Sequence, residues 1–436
     1  MTDRERRLLL AILGFLTFSS VYTNIVISPV ITQLAAEFGV TTGTAGLVAA
    51  AYGAPGILIA ILSGPYSDRF GRKRFLVGGA LIMGVFTLLG SLVSSFGLLL
   101  ILRAIAGAGA SVIFPNVNAT LGDNFPYRER GRAISTVIAF NTMASVIGIP
   151  IAGIVAEATS WRVSLALVGL LAVAAATLLF FQLKPAQVHV SESRVFELYR
   201  TILKNRSAVA AVISSLLGGL YWFTWATYLV VFFQDRFGLS EGAASTWALT
   251  MGLGVFVGSQ VGGRIGDRYG HRPVVASAIV VSGVLLLIQT NVGLPLLVTS
   301  ALNLVLSAVI GARFATNSTL LTEQVPEARG TLLALSGATG SLSIVGGAAV
   351  GGLLIDLYGF WAVGVFCLGA ALLSSLIVVR FVREEPIGLE LPLSDVIVAH
   401  LLPVVGVAGR RAARTLPVIL AATERSRPWR ADPAVE

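Results

Sequence analysis

Arg103 and Arg313 each stand inside an apolar stretch long enough to cross a bilayer, and they are the only cations so placed. A charge at the centre of such a stretch costs about 2.5–3.5 kcal/mol on insertion scales and marks a functional site by default. The nearest carboxylates, Glu157 and Asp356, stand only at the ends of apolar stretches, and no Asp, Glu or His falls in the middle of one. Two chemistries follow. Either Glu157 and Asp356 take protons near the mouth of a pathway while Arg103 tunes them, or the arginines are counter-charges for an anionic solute. Hydrogen bonding of the guanidinium groups to backbone carbonyls is a structural alternative to both. A covalent or metal-assisted enzyme is not indicated. Cys367 is the single cysteine, no Cys/His/Asp constellation exists, and no G-x-x-x-x-G-K-[ST] phosphate loop occurs.

A second device is charged rather than buried. Gly64-Pro-Tyr-Ser-Asp68-Arg69-Phe70-Gly71-Arg72-Lys73-Arg74 lies between two apolar runs, and Gly263-Arg-Ile-Gly-Asp267-Arg268-Tyr269-Gly270-His271-Arg272 repeats it 199 residues later. Gly71 and Gly270 suit a tight turn that needs unrestricted backbone. The same offset maps Tyr22 to Tyr221, Asn118 to Asn317, Arg130 to Arg329 and Glu157 to Asp356, so the chain is written twice. The two arginines break the rule: position 302 is leucine and position 114 is phenylalanine.

The elements that position these groups are helices in a membrane. Only 12% of the 436 residues are charged, whereas 55% are hydrophobic, and a helix of about 20 apolar residues spans a hydrocarbon core of about 30 Å. Spans are expected near 8–30, 44–63, 75–93, 98–121, 133–156, 163–183, 207–233, 244–262, 274–291, 295–321, 331–355 and 360–381. The net charge of +9 is topology: with the N terminus inside, the external loops hold only Arg162 and Arg236. Both termini are then cytosolic. The expected organisation is a six-helix bundle over 1–183, a cytosolic linker over 184–206 with a short amphipathic helix, a second bundle over 207–383, and an interfacial or disordered cytosolic tail over 384–436. Two parallel repeats of six spans, with a site between the halves, are one known architecture of secondary transporters.

The charged hinge resembles the signature loop of the major facilitator superfamily, G-x-x-x-D-R-x-G-R-[RK], at Gly64, Asp68, Arg69, Gly71, Arg72 and Lys73, and again at Gly263, Asp267, Arg268, Gly270 and Arg272. Arg103, Gly107 and Gly109 match a second pattern of that family, R-x-x-x-G-x-G. Gly148-Ile-Pro150-Ile-Ala-Gly153 departs from the strict G-P-x-x-G-G form of its drug and sugar efflux members, with the proline displaced by one and the last glycine pair reduced, and with Trp161-Arg162 it looks closer to the arabinose-efflux-like branch of the drug:proton antiporters. The resemblance implies an all-α fold of twelve spans in two parallel repeats that works by alternating access. It implies that Asp68, Arg69 and Arg72 latch one half to the start of the eleventh span, with Asp267 and Arg268 as a weaker counterpart against the fifth.

It further implies that spans 1, 4, 7 and 10 line the cavity. The candidate pathway residues there are Tyr22, Asn24, Asn116, Asn118, Tyr221, Trp225 and Asn317, together with Arg103, Arg313, Glu157 and Asp356. The aromatic stripe of Tyr221, Trp225 and Tyr228 fits either a cavity for an amphipathic solute or lipid-facing packing. The expected function is secondary active transport of a small organic solute, as proton-coupled efflux of a drug or sugar-like compound, with uptake or uniport of an organic anion as the alternative. A non-transporting receptor on the same scaffold is the reading from another class. The expected partners are a small-molecule substrate, protons and the lipid bilayer of the plasma membrane, with no cofactor, metal or nucleic acid, and the chain is expected to act as a monomer.

Overall fold

A computed structural model describes residues 3–183, 195–325 and 328–384. The expected tail beyond Glu384 and the first half of the linker lie outside the described residues. The first repeat comprises α1 (Asp3–Ile25), α2 (Ile27–Phe38), α3 (Thr42–Gly53), α4 (Gly56–Phe70), α5 (Arg72–Gly90), α6 (Phe96–Ser111), α7 (Ile113–Asn124), α8 (Tyr127–Ala158) and α9 (Trp161–Gln182). A short helix, α10 (Val195–Lys204), precedes the second repeat of α11 (Arg206–Phe237), α12 (Glu241–Tyr269), α13 (His271–Asn291), α14 (Leu296–Gln324), α15 (Arg329–Tyr358) and α16 (Phe360–Phe381).

Prolines explain why the first repeat has nine helices and only six spans. A proline removes one hydrogen bond and crowds the carbonyl four residues earlier. The α1–α2 and α6–α7 breaks each fall three residues before a proline, Pro29 and Pro115, and the α3–α4 break falls at Pro55. Their repeat equivalents are Tyr228, Phe314 and Gly254, and α11, α14 and α12 run unbroken. Joined across their breaks, the helices make two sets of six spans. Eleven of the twelve, among the described residues, are long and apolar enough to cross a membrane. The twelfth is α12, whose 29 residues suffice in length, but whose many glycines and terminal Glu241, Arg264, Asp267 and Arg268 dilute its hydropathy. The fold is that of an all-α membrane protein with two parallel six-span repeats.

The two hinges turn as expected, with Gly71 at φ 91° and Gly270 at φ 92°, a region that side chains bearing a Cβ rarely adopt. They share one face with the N terminus and α10, termed here the basic face. On the other face the repeats are locked together, α3 against α15 and α8 against α12. Gly43 lies so close to Gly352 that a Cβ at either position would meet the other's backbone.

Candidate functional site

Glu157 and Asp356 end α8 and α15 on the face away from the N terminus, and each reaches across to the other repeat. Glu157 Oε2 accepts from the Gly242 amide at 2.6 Å and from Ser240 Oγ at 2.9 Å, so it caps the start of α12. Asp356 Oδ1 accepts from the Gly43 amide at 2.9 Å, and Oδ2 from Thr41 Oγ1 at 2.5 Å, so it caps the start of α3. Thr41 and Ser240 are the N-cap residues of those helices. The positions match under the 199-residue offset in every member: 41 with 240, 43 with 242, 157 with 356. A helix N-terminus presents unpaired amides and a partial positive charge, so a carboxylate there is favoured. The result is two equivalent clasps.

Polar groups beside the clasps add to the closure. Thr32 Oγ1 donates to Glu241 Oε1 at 2.9 Å, and Gln33 donates to the other oxygen of Glu241. Tyr228 OH lies 3.2 Å from the Gly43 carbonyl and 2.7 Å from that of Ala348, and Ser28 Oγ donates to the Ala226 carbonyl at 3.1 Å. Sequence reasoning missed Gln33, Thr41, Ser240 and Glu241 here. The signal was present in Thr41 and Ser240, two N-cap residue types at one offset before two apolar helices.

On the basic face the described hinge side chains have partners within their own repeat. Arg72 donates to the Ala119 carbonyl at 2.6 Å and pairs with Asp123, both in its own repeat. Arg69 stacks over Phe70 at 5.5 Å and Arg268 over Tyr269 at 5.3 Å. Asp267 has His271 as its neighbour at 3.8 Å, and among the described residues no hydrogen bond or ion pair joins Asp267 or Arg268 to α8. The Asp68 side chain lies outside the described residues.

The buried arginines have different surroundings. Arg103 is fully buried, 4.4 Å over the Tyr52 ring, and donates through Nη2 to the Thr23 carbonyl at 3.0 Å, beside the α1–α2 break. Its Nε and Nη1 find no partner. Arg313, on α14, is 2% exposed and lies 4.9 Å from the Phe314 ring and 5.7 Å from that of Tyr221. Its Nε is buried without a hydrogen bond, and among the described residues no carboxylate pairs with it. Gly218 on α11 makes its room, since a Cβ there would collide with the guanidinium. One turn along α14, Asn317 donates to Ser215 Oγ of α11 at 3.0 Å. Arg313 and Asn317 thus occupy one seam between α11 and α14.

Several expected pathway residues hydrogen-bond or pack within their own repeat. Tyr221 is fully buried and its hydroxyl is 2.8 Å from Ser282 Oγ on α13. Trp225 is fully buried and donates to Asn303 Oδ1 at 3.1 Å. Both belong to the core of the second repeat, because the face they share on α11 packs against α13 and α14. Tyr22 is buried against Gly148 and edge-on to Phe18. Asn116 donates to the Val112 carbonyl at the α6–α7 break at 2.7 Å. Asn118 is exposed and Asn24 half-buried.

Two repeats of six spans, clasped on one face, buried cations within and charged hinges on the other face, define a membrane transporter of the two-bundle class. The sequence profile of the Major Facilitator Superfamily matches residues 13–262 and 237–423, and the chain belongs to that family. Its members here are transporters rather than enzymes. The chain is similar to the probable sulfoacetate transporter SauU of Cupriavidus necator, at 29% identity over 38% of this chain and 39% of that one. It is similar to the chloramphenicol resistance protein CraA of Acinetobacter baumannii, at 26% over 50% and 54%, and to the 4-hydroxybenzoate transporter PcaK of Pseudomonas aeruginosa, at 28% over 41% and 39%. The chain thus spans about half or less of the curated relatives it matches. Among solved structures, a D-xylose–proton symporter superposes with a TM-score of 0.69 at 19% identity, over 86% of this chain and 97% of that one. A bacterial homologue of the lysosomal transporter Spinster, inward-facing and unoccupied, gives 0.67 at 14%, over 87% and 96%. These two likenesses concern the fold.

Proposed function

We propose that the chain carries a small organic anion across the plasma membrane by alternating access, with the basic face and both termini in the cytosol. The observation that carries this reading is Arg313, a buried guanidinium with no counter-ion among the described residues, placed where the first repeat has Phe114. The scaffold does not require a cation there, since the equivalent position does without one. An unpaired charge in a low-dielectric interior is unfavourable until an opposite charge arrives. An anionic group that reaches Arg313 from between the repeats supplies it, with Phe314 and Trp222 beside it for an apolar remainder. The names of SauU and PcaK, whose cargoes are anions, agree with this reading.

Alternation follows from the clasps. Glu157 and Asp356 hold the extracellular face closed while Asp68, Arg69, Gly71, Arg72, Asp267, Arg268 and Gly270 serve as the gate of the cytosolic face in the other state. The second reading, proton-coupled efflux, is favoured by the carboxylates being located at that moving gate and by the likeness to CraA.

Proteoliposome flux separates the two. With an aromatic carboxylate and a lipophilic cation as test solutes, the anion is expected to be carried, Arg313→Gln to lose at least tenfold in rate at low anion concentration, and Arg313→Lys to retain part of it. Cation export that needs a pH gradient and is indifferent to Arg313→Gln overturns the anion reading in favour of the second.

A further inference from the structure

Among the positions at which the second hinge departs from the first, one changes the chemistry of a titratable side chain that the transport reading leaves without a role. Arg72 in the first repeat becomes His271 in the second. Arg72 brings a fixed positive charge to Asp123. His271 brings an imidazole into a group of three carboxylates. Gly270 turns the chain so that His271 opens α13, Glu323 closes α14, and Glu384 follows α16. The Glu384 carboxylate is fixed by the amides of His271 at 2.5 Å and Arg272 at 2.9 Å.

We propose that His271, Glu323 and Glu384 bind a divalent transition-metal ion, with the Asp267 carboxylate as a fourth donor at the open side. One ligand atom from each of the three lies within 4.8 Å of the other two. His271 Nε2 is 3.5 Å from Glu323 Oε1 and 3.8 Å from Asp267 Oδ1. Those separations are too long for hydrogen bonds, which fall at about 2.7–3.2 Å. The shorter one suits two donors sharing one ion, since donors about 2.0–2.2 Å from a tetrahedral metal stand about 3.3–3.6 Å apart, and Asp267 at 3.8 Å stands just beyond that range. His271 is 6% exposed, and its Nδ1, turned to Gly266, has no hydrogen-bond partner among the described residues, so Nε2 is the nitrogen that faces the carboxylates.

Charge points the same way. Among the described residues Asp267 and Glu384 pair with no lysine or arginine, and the neighbouring Arg272 guanidinium is turned to the Val378 and Val379 carbonyls at the end of α16. One nitrogen and several carboxylate oxygens suit Zn²⁺ or Mn²⁺. Asp267 and Glu323, 75% and 43% exposed at their side chains, leave the ion a path from water. A bound ion ties the starting turn of α13 to the ends of α14 and α16, stapling the hinge of the second repeat to its own bundle.

The test uses the full chain, purified, stripped with a chelator and titrated with ZnCl₂ and separately with MnCl₂ by calorimetry. One saturable ion per chain is expected, with a rise in melting temperature. Glu323→Gln and His271→Asn are each expected to weaken binding tenfold or more. Glu323 is partly exposed, so its variant reports even if His271→Asn folds poorly. No saturable binding of either ion, or equal binding by wild type and Glu323→Gln, overturns the site.

Discussion

At the scale of single residues, the useful contrast is between two polar aromatics and one cation on neighbouring helices. Tyr221 and Trp225 end in hydrogen bonds inside the second repeat, whereas Arg313 has a side chain of equal burial and no such ending. A buried hydrogen bond contributes about 1 kcal/mol net. Tyr221→Phe is therefore expected to lower the melting temperature by a few degrees and to leave the transport KM within about twofold. A tenfold rise in KM would instead return Tyr221 to the pathway. Arg313 and Glu157 were both visible as candidates in the sequence. What was not visible was which of the aromatic candidates faced in, because Tyr221, Trp225 and Tyr228 share a helix face and a face can turn to core, cavity or lipid.

Elements give the clasps their meaning. Each carboxylate touches the first turn of a helix in the opposite repeat, so the contact reports whether two bundles are together on that face. Hydrogen bonds to a charged group contribute about 1.5–3 kcal/mol, less where water competes, and both carboxylates here are at the exposed rim. Glu157→Gln and Asp356→Asn should each open this face several-fold more often, by similar amounts because the clasps are equivalent, and further together. Ser245, fully buried where α12 meets Gly153, is a convenient reporter as Ser245→Cys. The native Cys367 is buried and adds little background. Labelling by a membrane-impermeant thiol reagent is expected to speed up in each clasp variant; unchanged labelling in both rejects the clasps as a gate. The helix breaks were legible from Pro29, Pro55 and Pro115, but the cross-repeat capping was not. Residues 157 and 242 are brought together only when two bundles meet.

The whole molecule is an arrangement of charge across a bilayer. Cations gather at the hinges and α10, and the other face exposes few. A cysteine placed at Ser94, between α5 and α6, is expected to react with an impermeant reagent in intact cells, and one at Lys204 in α10 only after permeabilisation. The reverse pattern overturns the proposed orientation. That α10 exists as a short helix agrees with its amphipathic spacing.

By itself the sequence determined the class of the protein. Span length, hydropathy and a repeat of 199 residues are properties of the chain, and in a bilayer every backbone amide must be satisfied within a helix, so apolar length translates directly into spans. Tertiary structure alone decided on which face the repeats meet, that Glu157 and Asp356 cap helices across that face, and that Arg313 has no carboxylate partner among the described residues while Arg103 leans on a carbonyl at a helix break. Each of those depends on contacts between residues far apart in the chain, and one-dimensional spacing contains no record of which helix faces meet.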